Sequence, residues 1–124
     1  MQTTLLIVGG ILNCTLVAFH VSFWRFKGLD WKRELPKTNP ANRGAIQVMN
    51  LMLIYVFVAF AAVSFVMAAT SVSRAMLTAF AIVIGGFYAV RAALQLVFFK
   101  PSPVGNALMV VCVVTAVCYF LALL

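Results

Sequence analysis

Charge is scarce in this sequence, and negative charge is almost absent. Only 9% of the 124 residues are charged, and just two of them are acidic, whereas charged residues make up about 25% of an ordinary soluble domain. A chain so short of charge cannot build the polar surface that water requires. The composition therefore excludes a soluble domain, and its 65% of apolar residues indicates an integral membrane protein.

The two acids, Asp30 and Glu34, lie in one polar stretch, so no predicted membrane span contains an acidic side chain. General acid–base catalysis uses paired titratable groups, and proton or cation coupling in membranes commonly uses embedded acids. No nucleophile has an evident base, and no glycine-rich phosphate loop is present. We therefore expect a protein that is not an enzyme.

Metal-ligating and redox-active residues are also few. The cysteines Cys14, Cys112 and Cys118 all fall in apolar segments, and the last two are not one helical turn apart. A lone histidine, His20, cannot provide the three or four protein ligands of a metal site or the two axial ligands of a haem. We expect no disulfide, metal or cofactor. His20 is interpreted as an interfacial hydrogen-bonding residue, with a pH sensor as the alternative.

Four apolar segments fill most of the chain, and each is long enough for the roughly 20 residues that cross a bilayer. A residue able to cap a helix, namely Asn39, Ser73 or Ser102, precedes each of the last three segments. The predicted helices cover about residues 3–24, 40–69, 74–99 and 103–124, with a basic loop at 25–39. The expected fold is all-α, a single transmembrane domain formed by an antiparallel four-helix bundle in the membrane.

Positive charge is concentrated at one end of this predicted bundle. Lys100 lies at the same end as the loop, whereas Arg74 lies at the other. Because cations near membrane spans stay in the cytoplasm, we predict a cytoplasmic loop 25–39, both termini outside the cytoplasm, and insertion in a cell inner membrane. The cations that set this orientation account for the net charge of +7, so no nucleic-acid partner is expected. Six of the nine cations lie in or beside the loop: Arg25, Lys27, Lys32, Arg33, Lys37 and Arg43.

The loop also interleaves aromatic and basic side chains, a pattern that suits a segment lying among lipid headgroups. One interpretation is a face that docks anionic lipid or a membrane partner protein. The alternative is that the loop merely anchors the chain at the interface. The candidate face consists of Trp24, Arg25, Lys27, Trp31, Lys32 and Arg33.

Six polar side chains lie in the cytoplasmic half of the predicted helices, where each needs a partner, a cavity or the interface. Arg91 matters most, because an arginine inside a span costs about 2.5 to 3.5 kcal/mol on insertion scales. Either its long side chain reaches the interface, or it forms a site for an anion, a lipid phosphate or a polar head such as a quinone carbonyl. The candidate cluster is His20, Gln47, Asn50, Arg91, Gln95 and Asn106.

Two glycine pairs, at 9–10 and 85–86, fall at nearly equal depths in the first and third predicted spans. Small residues let helix backbones approach closely in membranes. We therefore expect close helix packing at these glycines, with a hinge or an opened passage as the alternative.

From His20 to about Phe57 the chain resembles a group of small bacterial membrane proteins with four helices. The resemblance covers less than a third of the chain, implies no activity, and supports only the membrane fold. The residues that carry it are Phe23-Trp24, Trp31-Lys32-x-Glu34-Leu35, Asn42-Arg43-Gly44 and Gln47-Val48-x-Asn50.

Two functional hypotheses follow. The first is a non-enzymatic accessory or structural subunit that binds membrane lipids or a larger membrane complex through the basic aromatic face. The second is a homo-oligomeric transporter or channel for a small anionic solute, with Arg91, Gln95, Asn50 and His20 as its inner polar site.

Overall fold

The computed structural model describes residues 1–124 and contains helices and turns but no strand. Its α-helices are α1 (Gln2–Val21), α2 (Trp31–Glu34), α3 (Pro40–Ala69), α4 (Arg74–Phe98) and α5 (Pro103–Leu121). Two short 3₁₀ turns, Ser22–Trp24 and Leu35–Lys37, follow α1 and α2. The predicted all-α fold class is confirmed.

Four of these helices, α1, α3, α4 and α5, are long and apolar enough to cross a membrane. The first of these spans includes the 3₁₀ turn and covers Gln2–Trp24. At 1.5 Å per residue, the 30 residues of α3 extend about 45 Å, which exceeds the hydrocarbon core of a bilayer. The fold is that of a multi-pass membrane protein.

Side-chain caps determine where α3, α4 and α5 begin. The Asn39 side chain accepts a hydrogen bond from the backbone N–H of Asn42 at 3.0 Å, and Pro40 takes the first helical position. Ser73 and Ser102 cap α4 and α5 in the same way, at 3.2 Å and 3.0 Å from the N–H groups three residues further on. Each cap satisfies a backbone donor that has no partner inside the helix.

The long helices do not all touch one another through their backbones. Helix α1 packs against α3 and α5, and α4 packs against α5. Between α3 and α4 the contact is made by aromatic rings instead, from Phe57 and Phe60 on one side and Phe87 and Tyr88 on the other, with ring centroids 5.5 to 6.3 Å apart. Large side chains therefore fill the space between α3 and α4.

The glycines of α1 accommodate aromatic rings. A Cβ atom added at Gly9 would lie 2.8 Å from the ring of Tyr119 on α5, and one at Gly10 would lie 2.6 Å from the ring of Phe65 on α3. The glycines of α1 therefore pack against α5 and α3 rather than against α4. An aromatic ring fits where a residue has no side chain, and α1 uses both glycines in this way.

The segment between α1 and α3 folds against the end of the bundle. Asp30 adopts a left-handed conformation with φ of 44° as α2 begins, and Leu35 is buried. The Arg43 guanidinium donates to the backbone carbonyls of Pro36 at 3.0 Å and Thr38 at 3.2 Å. These contacts fix the loop that covers the site described next.

Candidate functional site

A cavity of about 650 Å³ lies beneath the loop that joins α1 to α3. Its walls come from the end of α1, the loop, α3, α4 and α5, and 13 of the 19 residues that line it are hydrophobic. Cavities of this size and composition are typical of small-molecule sites, where a few polar groups orient the ligand. The aromatic lining residues are Phe19, Phe23, Phe26, Trp31, Phe57, Phe87, Phe98 and Phe99.

Edge-to-face aromatic contacts hold the loop over the cavity. The ring of Trp31 lies 5.1 Å from that of Phe23 and 5.3 Å from that of Trp24, centroid to centroid. Phe19 packs against Phe23 at 5.0 Å in the same geometry. Such pairs contribute about 0.5–1.5 kcal/mol each beyond the area they bury, so the loop is attached to α1 by its aromatic side chains.

Arg91 is the only charged residue that lines the cavity. Its Nη1 donates to the Gln95 Oε1 atom at 2.9 Å, one helical turn along α4, and its guanidinium carbon lies 5.4 Å from the centroid of the Phe99 ring. Gln95 and Phe99 are both neutral side chains. The two acids of the chain, which could have neutralised the charge, lie in the loop. The structure therefore places a half-buried positive charge beside apolar walls without a protein counter-ion.

Gln95 is positioned by the first turn of α5. A Cβ atom added at Gly105 would lie 2.8 Å from Gln95 Nε2 and 2.9 Å from Ser102 Oγ. The missing side chain lets the buried Gln95 amide fit against this turn with its oxygen toward Arg91. Gly105 thus sets the position of the amide that holds the guanidinium.

His20 forms a second polar pair, with Asn50. Its Nδ1 lies 2.7 Å from Asn50 Oδ1, and the Asn50 amide nitrogen donates to the His20 backbone carbonyl at 3.2 Å. Because the amide nitrogen must face that carbonyl, the oxygen faces the ring, and Nδ1 carries the proton. Nε2 has no hydrogen-bond partner in the chain, and His20 lines the cavity.

The other two members of the predicted cluster are not brought into the cavity. Gln47 is half-buried and Asn106 is exposed, and neither lines the cavity. Asn50 is buried but reaches the site only through His20. The structure therefore gathers His20, Arg91 and Gln95 around one space, with Asn50 as support.

The predicted headgroup face divides into an inner and an outer part. Trp24 and Trp31 are half-buried, whereas the four cations of that face, Arg25, Lys27, Lys32 and Arg33, are exposed. Beside them, Lys37 Nζ bonds Glu34 Oε1 at 2.7 Å. This hydrogen bond, together with the charges of Lys37 and Arg33, holds the pKa of the Glu34 carboxyl below its usual value. The tryptophans thus attach the loop, and the exposed cations, of which Arg33 also lies 3.9 Å from Glu34 Oε1, lie around the end of the bundle.

A second polar cluster, which sequence reasoning did not identify, lies deeper in the bundle. The Asn13 amide nitrogen donates to the Tyr119 hydroxyl at 3.0 Å and to the Gly9 carbonyl at 2.8 Å. The Tyr88 hydroxyl donates to Asn13 Oδ1, and Tyr119 meets Ser64 Oγ at 2.5 Å. The available signal was the presence of a few polar side chains in the middle of otherwise apolar spans.

This Asn13 cluster is internally satisfied. Ser64 gives its only proton to the Phe60 carbonyl at 2.6 Å, so the Tyr119 hydroxyl donates to Ser64 and accepts from Asn13. Asn13, Ser64, Tyr88 and Tyr119 are all completely buried. A buried network with every donor used stabilises one helix arrangement, and we assign it a structural role.

Comparison of the chain with protein-family models, with curated proteins and with solved structures finds no match. A functional conclusion must therefore be drawn from the cavity itself. Its decisive features are the aromatic walls and the single cation, Arg91.

Proposed function

We propose that this chain is a non-enzymatic, multi-pass protein of a cell inner membrane that binds a membrane lipid in the cavity beneath its loop. It acts there as an accessory or structural subunit, in a homo-oligomer or in a larger membrane complex. The supporting observation is that Arg91 is the only charged residue in a cavity whose lining is mostly hydrophobic. Apolar walls suit a hydrocarbon body, and an uncompensated guanidinium suits a polar or anionic head.

The proposal includes an orientation. The four long helices form an antiparallel bundle with the loop in the cytoplasm and both termini outside it, as the distribution of cations favours. The exposed Arg25, Lys27, Lys32 and Arg33 then face the cytoplasmic leaflet, whose anionic lipids attract basic residues at about 1 kcal/mol per charge. The basic rim thus concentrates anionic lipid beside the cavity.

Native mass spectrometry of protein extracted gently from its own membrane tests lipid binding. We expect the wild type to retain a lipid that Arg91→Leu loses. Lys100→Leu is the matched control, because Lys100 is an exposed cation that follows the same helix and does not line the cavity. Equal lipid retention by Arg91→Leu and the control would contradict the proposal.

The second candidate is a homo-oligomeric transporter or channel for a small anionic solute, which the same uncompensated Arg91 favours. The packing below the cavity argues against it, since Asn13, Tyr88 and Tyr119 are completely buried and bonded to one another. Solute passage would require this network to open. Anion flux into proteoliposomes that stops in Arg91→Leu, with the bundle still folded, would favour the transporter.

A further inference from the structure

We propose that the cavity binds one single-chain anionic amphiphile, a molecule with one aliphatic chain and a carboxylate or phosphate head. This inference rests on the proposed lipid-binding function and narrows the ligand to one chemical class. Three observations carry it: the size of the cavity, a groove that adjoins it, and the placement of Arg91.

The size of the cavity fits one chain. If each non-hydrogen atom occupies about the 30 Å³ that a water molecule takes up in the liquid, a cavity of about 650 Å³ holds about 20 such atoms. One long acyl chain with its head has about this number. A phospholipid with two long chains has far more and could place only one of its chains within the same walls.

A groove on the bundle surface continues the cavity toward the membrane. This second space, of about 380 Å³, lies between α1 and α5 and shares Phe19, Val104 and Leu108 with the cavity. Its one hydroxyl-bearing side chain is Thr15, whose Oγ1 bonds back to the Ile11 carbonyl at 3.1 Å, so the groove is effectively apolar. A chain that begins in the cavity can therefore extend sideways into hydrocarbon.

The head of the ligand is located by Arg91. A guanidinium has five N–H donors, and only one hydrogen bond to the protein, the bond to Gln95, is formed here. The remaining donors can bind a carboxylate or phosphate in a bidentate, charge-assisted manner. An uncharged head would leave this positive charge without a counter-ion inside apolar walls, which is costly. Charge complementarity therefore selects an anionic head.

The inference can be tested with the purified full-length protein, stripped of lipid and held in a non-ionic detergent. Trp31 lines the cavity, so its fluorescence reports occupancy. The probes are palmitate, palmitoyl lysophosphatidic acid, hexadecanol and dipalmitoyl phosphatidic acid. We expect saturable binding of the two single-chain anions, with hexadecanol binding about tenfold or more weakly, the effect of one lost charge-assisted contact. The two-chain lipid should also bind more weakly, because the cavity has room for only one of its chains. The stronger of the two anions identifies the head as carboxylate or phosphate.

Substitutions at two positions, Arg91 and Leu108, test the binding of the head and of the chain separately. Arg91→Leu should weaken palmitate binding about tenfold or more, and Arg91→Lys should retain the preference for anions with lower affinity, because lysine lacks the bidentate fork. Leu108→Phe, at the junction of cavity and groove, should weaken palmitate but leave octanoate binding unchanged. Val110→Phe is its control, since Val110 is exposed on the same helix and lines neither space.

The outcomes distinguish this inference from the broader proposal. Equal binding of hexadecanol and palmitate, or unchanged palmitate binding in both Arg91 variants, would overturn the inference. A two-chain lipid retained by the wild type in native mass spectrometry, with no single-chain binding, would overturn the ligand class and leave lipid binding intact. The absence of both the retained lipid and probe binding would overturn both.

Discussion

The side-chain amide of Asn13 on α1 and the phenol of Tyr119 on α5 are hydrogen-bonded at 3.0 Å, across a separation of 106 residues in the chain. The same network includes Ser64 of α3 and Tyr88 of α4. Each of the four long helices therefore contributes one side chain to a single buried cluster. This cluster fixes the arrangement of the four helices below the cavity.

Replacing Asn13 should destabilise the fold. Asn13→Leu leaves the Tyr88 hydroxyl without its acceptor and removes a donor to Tyr119, and an unsatisfied buried polar group costs about 1–3 kcal/mol. Equilibrium unfolding in mixed micelles should show a loss of this size. Thr15→Val is the control, because the exposed Thr15 bonds only within its own helix. A loss no larger than that of the control would show that the cluster does not hold the bundle together.

Two glycine substitutions should change the stability of the fold in opposite directions. Gly9→Ala places a methyl group 2.8 Å from the ring of Tyr119, a residue that hydrogen bonds hold in place, and overpacking of this kind costs about 1–3 kcal/mol. Gly86→Ala meets nothing within 4 Å, and alanine is favoured over glycine in a helix by about 1 kcal/mol. Thermal unfolding should therefore rank Gly86→Ala at or above wild type and Gly9→Ala below it. The reverse order would refute the packing described for α1 and α5.

The position of Gln95 can be changed without touching Arg91. Gly105→Ala should displace the Gln95 amide and break its bond to the guanidinium. Since one hydrogen bond contributes about 0.5–1.5 kcal/mol, lipid affinity should fall about two- to tenfold. The melting temperature should fall as well, because the added methyl group lies 2.9 Å from Ser102 Oγ, which caps α5. Gly44→Ala, also near the start of a helix but with nothing within 4 Å, is the matched control. Identical lipid affinity in the two variants would remove Gln95 from the site.

The orientation predicts which side of the membrane each loop faces. In a chain without its native cysteines, Lys27→Cys should react with an impermeant maleimide only in inverted vesicles, whereas Ser71→Cys, in the turn between α3 and α4, should react in intact spheroplasts. The physical reason is the retention of the basic loop in the cytoplasm. Labelling of Lys27→Cys from outside would show that the orientation is inverted.

Local chemistry made several features of the fold predictable. Asn39, Ser73 and Ser102 start their helices as expected, because a cap depends on residues only three positions apart. The predicted loop contains the four-residue helix α2. A helix of that length is not stable by propensity alone, and here it depends on the burial of nearby aromatic side chains.

The candidate site was only partly predictable, because depth along a helix follows from the sequence whereas rotation about its axis depends on packing. His20, Arg91 and Gln95 share a depth and a cavity. Gln47 and Asn106 were assigned to the same half of the bundle but do not face the cavity. The pairing of Asn13 with Tyr119 is likewise a tertiary relationship that the spacing of residues within one helix cannot reveal.

The most direct test of the account is an experimental structure of the protein extracted in its native lipid, without detergent exchange. We predict elongated density in the cavity, with its head within hydrogen-bonding distance of the Arg91 guanidinium and its chain running toward Leu108 and the groove between α1 and α5. A cavity that holds only water, or one closed by rearranged aromatic side chains with Arg91 extended to the interface, would contradict it.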